Sequence, residues 1–228
     1  MSISLNEIGI NSGKMLQRAI YSYKLIDVKD TLKAVGTVGA HHDNIEILFL
    51  ALSALSQSNF DEQIGDSLIT KVENAYDNFG NLVTHKETAA GETLDAKIDY
   101  HNLSDKYIVS VPSRIVVSSA GKTYRERSTE VNQNGEITEI TLSNAPKAFS
   151  VYNMTYDGYG NITRMTKPEN YNHQRMFYAY TYDDRYHSLV TSVKDAYGYS
   201  SSTAYDGLWN APSVTTDLNG QKMEWALI

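Results

Sequence analysis

The chain has 228 residues and no cysteine, which excludes disulfides, thiolate metal sites and a cysteine nucleophile. Its net charge is −7 with Lys and Arg dispersed, which argues against non-specific nucleic-acid binding and against a polybasic membrane patch. Seventeen tyrosines against five phenylalanines suit a pleated, half-wet surface, where the ring packs and the hydroxyl reaches water or a partner.

The N-terminus, Met1 to Glu7, carries no basic segment followed by an apolar one, so no signal peptide is visible in this chain. Residues 1–70 read as an N-terminal segment. Leu16 to Val28 mixes strand formers with charges and fits strand or helix. Val35 to Gly39 reads as a loop. Asp43 and Asn44 are placed to cap a buried helix near 44–57, with Ile45, Leu48, Phe49, Leu52 and Leu55 at helical spacing. This apolar run is about half a membrane span and contains Glu46, so no span is expected.

From 71 to 228 the texture becomes short β-prone runs separated by turn signals. Tyr76-Asp77-Asn78-Phe79-Gly80-Asn81-Leu82 has a second copy at Tyr156-Asp157-Gly158-Tyr159-Gly160-Asn161-Ile162, and partial copies begin at Tyr182-Asp183 and Tyr205-Asp206. Each is a strand end, a tight turn and a returning strand. The Asp side chain accepts from backbone N–H groups further along, and Gly80 and Gly160 supply the positive φ that a bulged hairpin needs. At the third and fourth copies Tyr186 and Trp209 stand where glycine is expected, so those turns must be built differently.

Between the copies, Ile98 to Leu103, Tyr107 to Val111 and Arg114 to Ser118 are strand candidates, with Pro112 at a boundary. Asn132-Gln133-Asn134-Gly135 signals a hairpin centred on Asn134-Gly135. Tyr152, Met154 and Tyr156 share one face by period two, and Arg175 to Tyr182 repeats the device with Tyr178, Tyr180 and Tyr182. The later copies lie 26 and 23 residues apart, and Asp195 and Asp217, 22 residues apart, mark a second turn class between and after them. Such a period means an array of antiparallel β-hairpins, each burying its face against its neighbours. The expected fold is therefore mainly β, with a short helical N-terminal segment.

The Tyr-Asp-x-x-Gly-Asn phrase, followed some ten residues later by Asp-x-x-Gly, resembles the YD repeat of RHS-repeat proteins. That family includes bacterial polymorphic toxins, the B and C components of insecticidal toxin complexes, and animal teneurins. The resemblance covers residues 71–228, and the matching residues are Tyr76, Asp77, Gly80, Asn81, Tyr156, Asp157, Gly160 and Asn161. It implies a β-sheet strip that spirals into a hollow shell, with no catalytic residues and no cofactor. The implied setting is secreted or at the cell surface, as part of a larger protein. The implied partners are the remaining repeats of the same shell or an enclosed toxin domain. The Asp-Pro-x-Gly motif that ends the toxin family's core is absent, which implies an internal piece of a larger shell or a degenerate remnant.

His41-His42-Asp43 lacks the third ligand or oriented partner that a metal or acid–base site needs. Asp77, Asp157, Asp206 and Asp217 recur with the structural period, which fits backbone capping better than calcium binding or glycoside hydrolysis. Tyr152, Tyr178 and Tyr180 are the candidate ligand-facing aromatics: they form cross-strand ladders, or they stack on glycans as a carbohydrate- or cell-surface-binding module would. Asn102, Asn153 and Asn161 lie in Asn-x-Ser/Thr sequons, which matter only in a eukaryotic secretory setting.

Overall fold

The structure, a computed structural model, describes residues 2–11, 14–27, 48–60, 67–145 and 148–225. The chain divides into two compact units, Met1–Arg127 and Ser128–Ile228. In both units, strands that follow one another in sequence lie side by side in the sheet, so local pairing alone builds the fold.

The first unit holds β1 (Ser2–Asn11), β2 (Lys14–Asp27), β3 (Leu48–Phe60), β4 (Ser67–Tyr76), β5 (Leu82–Ala89), β6 (Glu92–Leu103) and β7 (Ile108–Ser119). Each pairs antiparallel with its predecessor. The strand β8 (Lys122–Val131) runs across the division. The second unit continues with β9 (Ile137–Ala145), β10 (Ala148–Tyr156), β11 (Ile162–Glu169), β12 (Arg175–Tyr182), β13 (Val190–Asp195), β14 (Ser200–Tyr205), β15 (Pro212–Thr216) and β16 (Lys222–Glu224). These too are antiparallel neighbours in order.

The helix expected near 44–57 is not formed at its described residues: Leu48 to Gln57 belong to β3. A run apolar on every side reads equally as a buried helix or a strand, and periodicity cannot separate them. Tertiary pairing decides it, because an extended chain here hydrogen-bonds to neighbours on both sides, with Leu50 opposite Leu25 and Ala54 opposite Glu73. The segment Leu16 to Val28 is likewise strand as far as Asp27. The loop at 35–39, His41-His42-Asp43 and the Asp43-Asn44 cap lie outside the described residues. Among those described there is no α-helix, only a short 3-10 turn at Ser104–Lys106.

Pro112 does not interrupt its strand. It sits opposite Tyr100 where the register shifts between Asp99 and Tyr100, a bulge at which a missing N–H is tolerated. At the other end of β6, Ala90-Gly91 makes a two-residue hairpin with positive φ at both residues (51° and 82°), as a type I′ turn requires.

Among the described residues only Ala19, Ala51 and Met154 are buried apolar side chains, and no side chain is wholly excluded from solvent. Cohesion therefore comes from ladder hydrogen bonds and cross-strand side-chain pairs rather than from a thick core. Whatever ties one hairpin to the next then carries an unusual share of stability. Those ties are concentrated at the Tyr-Asp turns.

Candidate functional site

The two complete turns are built alike. In the first, Gly80 N–H donates to the Asp77 carbonyl at 3.2 Å and Asp77 N–H to the Asn81 carbonyl at 2.9 Å. Gly80 has φ +84°, and the register shifts just before Tyr76, which together make a type I turn with a glycine bulge. Asp77 Oδ1 accepts from Phe79 N–H at 2.9 Å and Asn81 N–H at 2.8 Å, while Oδ2 accepts the Asn81 side-chain amide at 2.9 Å. In the second copy Asp157 makes the same bonds to Tyr159 and Asn161 at 2.9 to 3.0 Å, with Gly160 at φ +85°.

The copies that lack glycine solve the same problem with longer loops. Tyr186 and Trp209 do not take the left-handed conformation; the next residues do, His187 at φ 54° and Asn210 at φ 56°. Closure moves from the fourth residue after the aspartate to the sixth, with Asp183 N–H donating to Leu189, and to the fifth, with Asp206 N–H donating to Ala211. More backbone is exposed in these loops, and the aspartates take up more of it. Both oxygens of Asp183 accept, from Arg185 and Tyr186 on one side and from Ser188 and Leu189 on the other. Asp206 accepts from Leu208, Trp209 and Ala211.

Ionisation follows this geometry. Around Asp183, partial desolvation pulls the carboxyl pKa up but is outweighed by the bonds from Tyr186, Leu189, Ser188 and Arg185, leaving it lowered to about 2. Asp157 is lowered chiefly by the Asn161 side-chain amide, against an opposing desolvation, and Asp206 chiefly by Trp209 N–H. These carboxylates are held ionised as backbone acceptors. A general acid needs the opposite shift.

The motif tyrosines reach backwards. Tyr156 OH donates to the Ile137 carbonyl at 2.7 Å, Tyr182 OH to Ile162 at 2.9 Å and Tyr205 OH to Val190 at 2.9 Å. Each acceptor is the first residue of the preceding strand. Tyr76 OH donates to Leu52, within β3, at 3.1 Å. Burial raises the Tyr156 and Tyr182 pKa values, with added repulsion from Glu136 and Asp157 respectively. The asparagines reach forwards. Asn81 Nδ2 donates to the Val109 carbonyl at 2.7 Å, and Asn161 Nδ2 donates to the His187 carbonyl in the next Tyr-Asp turn. Asn81 is buried accordingly. Each complete turn is thus tied to the hairpin before it by a hydroxyl and to the hairpin after it by an amide.

Residues outside the Tyr-Asp motif, which its pattern does not reveal, belong to the same system. Tyr100, followed by His101 rather than Asp, makes the same tie, its hydroxyl donating to Leu82 at 3.0 Å. Asn132 organises its turn as an aspartate would, with Oδ1 accepting from Asn134 and Glu136 N–H, and Nδ2 donating to Glu136 Oε2 at 2.6 Å. A hairpin does form here, but its turn is centred on Gln133-Asn134 rather than Asn134-Gly135: Gly135 N–H closes on the Asn132 carbonyl and Gly135, at φ 81°, takes the bulge position. Asn170 repeats the device with His173 in the left-handed position. Asp195 and Asp217 serve their turns in the same way through one oxygen each.

Tyr152, Tyr178 and Tyr180 are half-buried within β10 and β12. Tyr178 pairs with Met165 and Tyr180 with Val193, and Lys167 Nζ stands 5.0 Å from the Tyr178 ring centroid. The sequon Asn161 is half-buried in its turn with both amide bonds made, and Asn153 donates to Glu139 at 2.9 Å. Asn102 is exposed.

No protein-family model matches the chain, and no curated protein does. Its fold does have solved counterparts. It superposes on the crystal structure of TcdB2-TccC3-Cdc42 with a TM-score of 0.68 at 9% identity, over 97% of this chain and 15% of that one. It superposes on TcdB2-TccC3-TEV with a TM-score of 0.69 at 8% identity, again over 97% and 15%. The chain thus spans under a sixth of the length of these two matched chains. At such identity the likeness is one of fold alone.

Proposed function

We propose that this chain is a structural segment of a YD/RHS-type shell in a secreted or surface-exposed bacterial toxin-like protein, acting by encapsulation and protein contact rather than catalysis. One observation carries the reading. The recurrent polar residues bond to backbone groups of their own turn and of adjacent hairpins, by way of Asp77, Asn81, Tyr156, Asp157, Asn161 and Tyr182. A repeating polar motif saturated in this way builds wall. The likeness to TcdB2-TccC3 supports the same reading at the level of fold. The partners are then further repeats or an enclosed polypeptide.

Protease protection tests this. Co-expressed with the polypeptide that adjoins it in its natural setting, the chain should shield that partner from proteinase K. Shielding should fall when the ties are removed in Tyr156→Phe combined with Asn161→Ala. A partner cleaved equally with and without the chain contradicts the proposal.

A further inference from the structure

The gaps between successive Tyr-Asp turns are not filled alike, and the difference exposes a site. Between the turns at Asp157 and Asp183, the His187 imidazole lies flat on the Tyr159 ring, with centroids 3.9 Å apart and planes 7° apart. Between the turns at Asp183 and Asp206, the Arg185 guanidinium lies 4.8 Å from the Tyr186 ring centroid and donates to the Gly207 carbonyl at 2.9 Å. In both gaps a planar nitrogen-bearing group covers a turn aromatic.

The first turn has the aromatic but not the cover. Phe79 occupies the motif position of Tyr159, two residues after the aspartate. Val109 occupies the place of His187, since each receives the turn asparagine's amide on its carbonyl. Valine has no ring to lay on Phe79. What remains is a hollow of about 540 Å³ lined by Phe79, Val109, Tyr100, Asp77, Asp99 and Lys97 among others. Phe79 is 44% exposed.

The geometry points to this hollow as a docking site for an arginine side chain carried on a partner peptide. A guanidinium is planar and permanently charged, stacks on an aromatic face, and presents paired donors to carboxylates. The chain already uses that pairing within its own sheet, where the Arg164 guanidinium lies 3.6 Å from the Phe177 ring centroid. Asp77 and Asp99 against Lys97 leave the lining one charge negative, which favours a cation and makes binding weaken with salt. Burial raises the Tyr100 pKa, and the neighbouring Asp77 charge raises it further. The site lies wholly in the first unit. It stands or falls separately from the shell reading.

The test is an NMR titration of the whole chain with the peptide acetyl-Gly-Arg-Gly-amide, following the Phe79 ring and Val109 methyl resonances. Saturable shifts at both are expected. Kd should rise at least about fivefold in Phe79→Ala and in Asp99→Asn, both exposed positions whose change leaves the turn intact, and again when citrulline replaces arginine. Val109→His, which supplies the ring found at 187, should close the hollow and abolish the shifts. Absence of saturable shifts would overturn the site, as would binding unchanged in Phe79→Ala. Equal binding of the citrulline peptide would overturn the cation assignment.

Discussion

Tyr182 OH donates to the carbonyl of Ile162 at 2.9 Å, joining the last residue of β12 to the first residue of β11. The same bond, from Tyr156 to Ile137 and from Tyr205 to Val190, recurs along the second unit. With almost no apolar side chain buried among the described residues, such a bond anchors a hairpin at the point where its ladder would otherwise fray.

Removing the hydroxyl alone should therefore be felt. Tyr182→Phe keeps the ring and loses one partly buried hydrogen bond, at a cost of about 1 kcal/mol. Thermal melts should show a lower Tm for Tyr182→Phe and for Tyr156→Phe. Tyr171→Phe, at a ring that is 92% exposed, serves as the unaffected control.

Glycine 160 and glycine 158 sit in the same turn and should answer oppositely. Gly160 has φ +85°, and a Cβ there would meet Glu136 Oε1 at 3.3 Å. Valine at that position combines left-handed strain with crowding and should destabilise by at least about 1–2 kcal/mol. Gly158 has no left-handed φ and nothing within 4 Å of a Cβ. Gly158→Ala should be neutral or stabilise by a few tenths of a kcal/mol, roughly to 1, by restricting the unfolded chain. Urea unfolding of the two variants measures both.

The turn carboxylates give the protein an acid limit of predictable sign. The Asp183 pKa falls to about 2 on folding, below the ordinary value of about 3.9. Its contribution to stability is therefore complete above about pH 4 and is lost as pH drops towards 2. Asp157 and Asp206 shift in the same direction. Asp183→Asn offers one acceptor oxygen where two now serve four N–H groups, so it should lower Tm at pH 7 and flatten the loss of stability between pH 4 and 2. Asp195, which uses a single oxygen for two N–H groups, should tolerate Asn far better. The natural Asn132 and Asn170 turns show that an amide suffices for that simpler pattern.

Much of this was legible in the sequence because the turn motif is dictated by local chemistry. An aspartate followed by a glycine three residues on specifies the acceptor and the positive φ together, as at Asp77 with Gly80 and at Asp157 with Gly160. Strands with clean alternation were equally readable, and β12 spans Arg175–Tyr182 as its pattern indicates. What escaped depends on geometry that composition does not encode. Asn132 and Asn170 do an aspartate's work without matching the motif, and Tyr100 makes the tyrosine tie without an adjacent Asp. The left-handed role of His187 and Asn210 emerges only once the loop lengthens. The strand at Leu48–Phe60 escaped for a different reason: its apolar run is compatible with either period, and pairing to β2 and β4 settles it.

The claim that the recurring polar residues are ties between hairpins is tested most directly at Asn161. Its amide donates to Asp157 Oδ2 at 3.0 Å and to the His187 carbonyl of the following turn. Asn161→Ala removes both bonds and leaves a partly buried carbonyl without its donor, a loss of about 1–3 kcal/mol. The urea midpoint of Asn161→Ala should fall clearly below that of the unsubstituted chain, with accelerated amide exchange at residues 183–189. An unchanged midpoint, with exchange in that turn unaltered, would contradict the account.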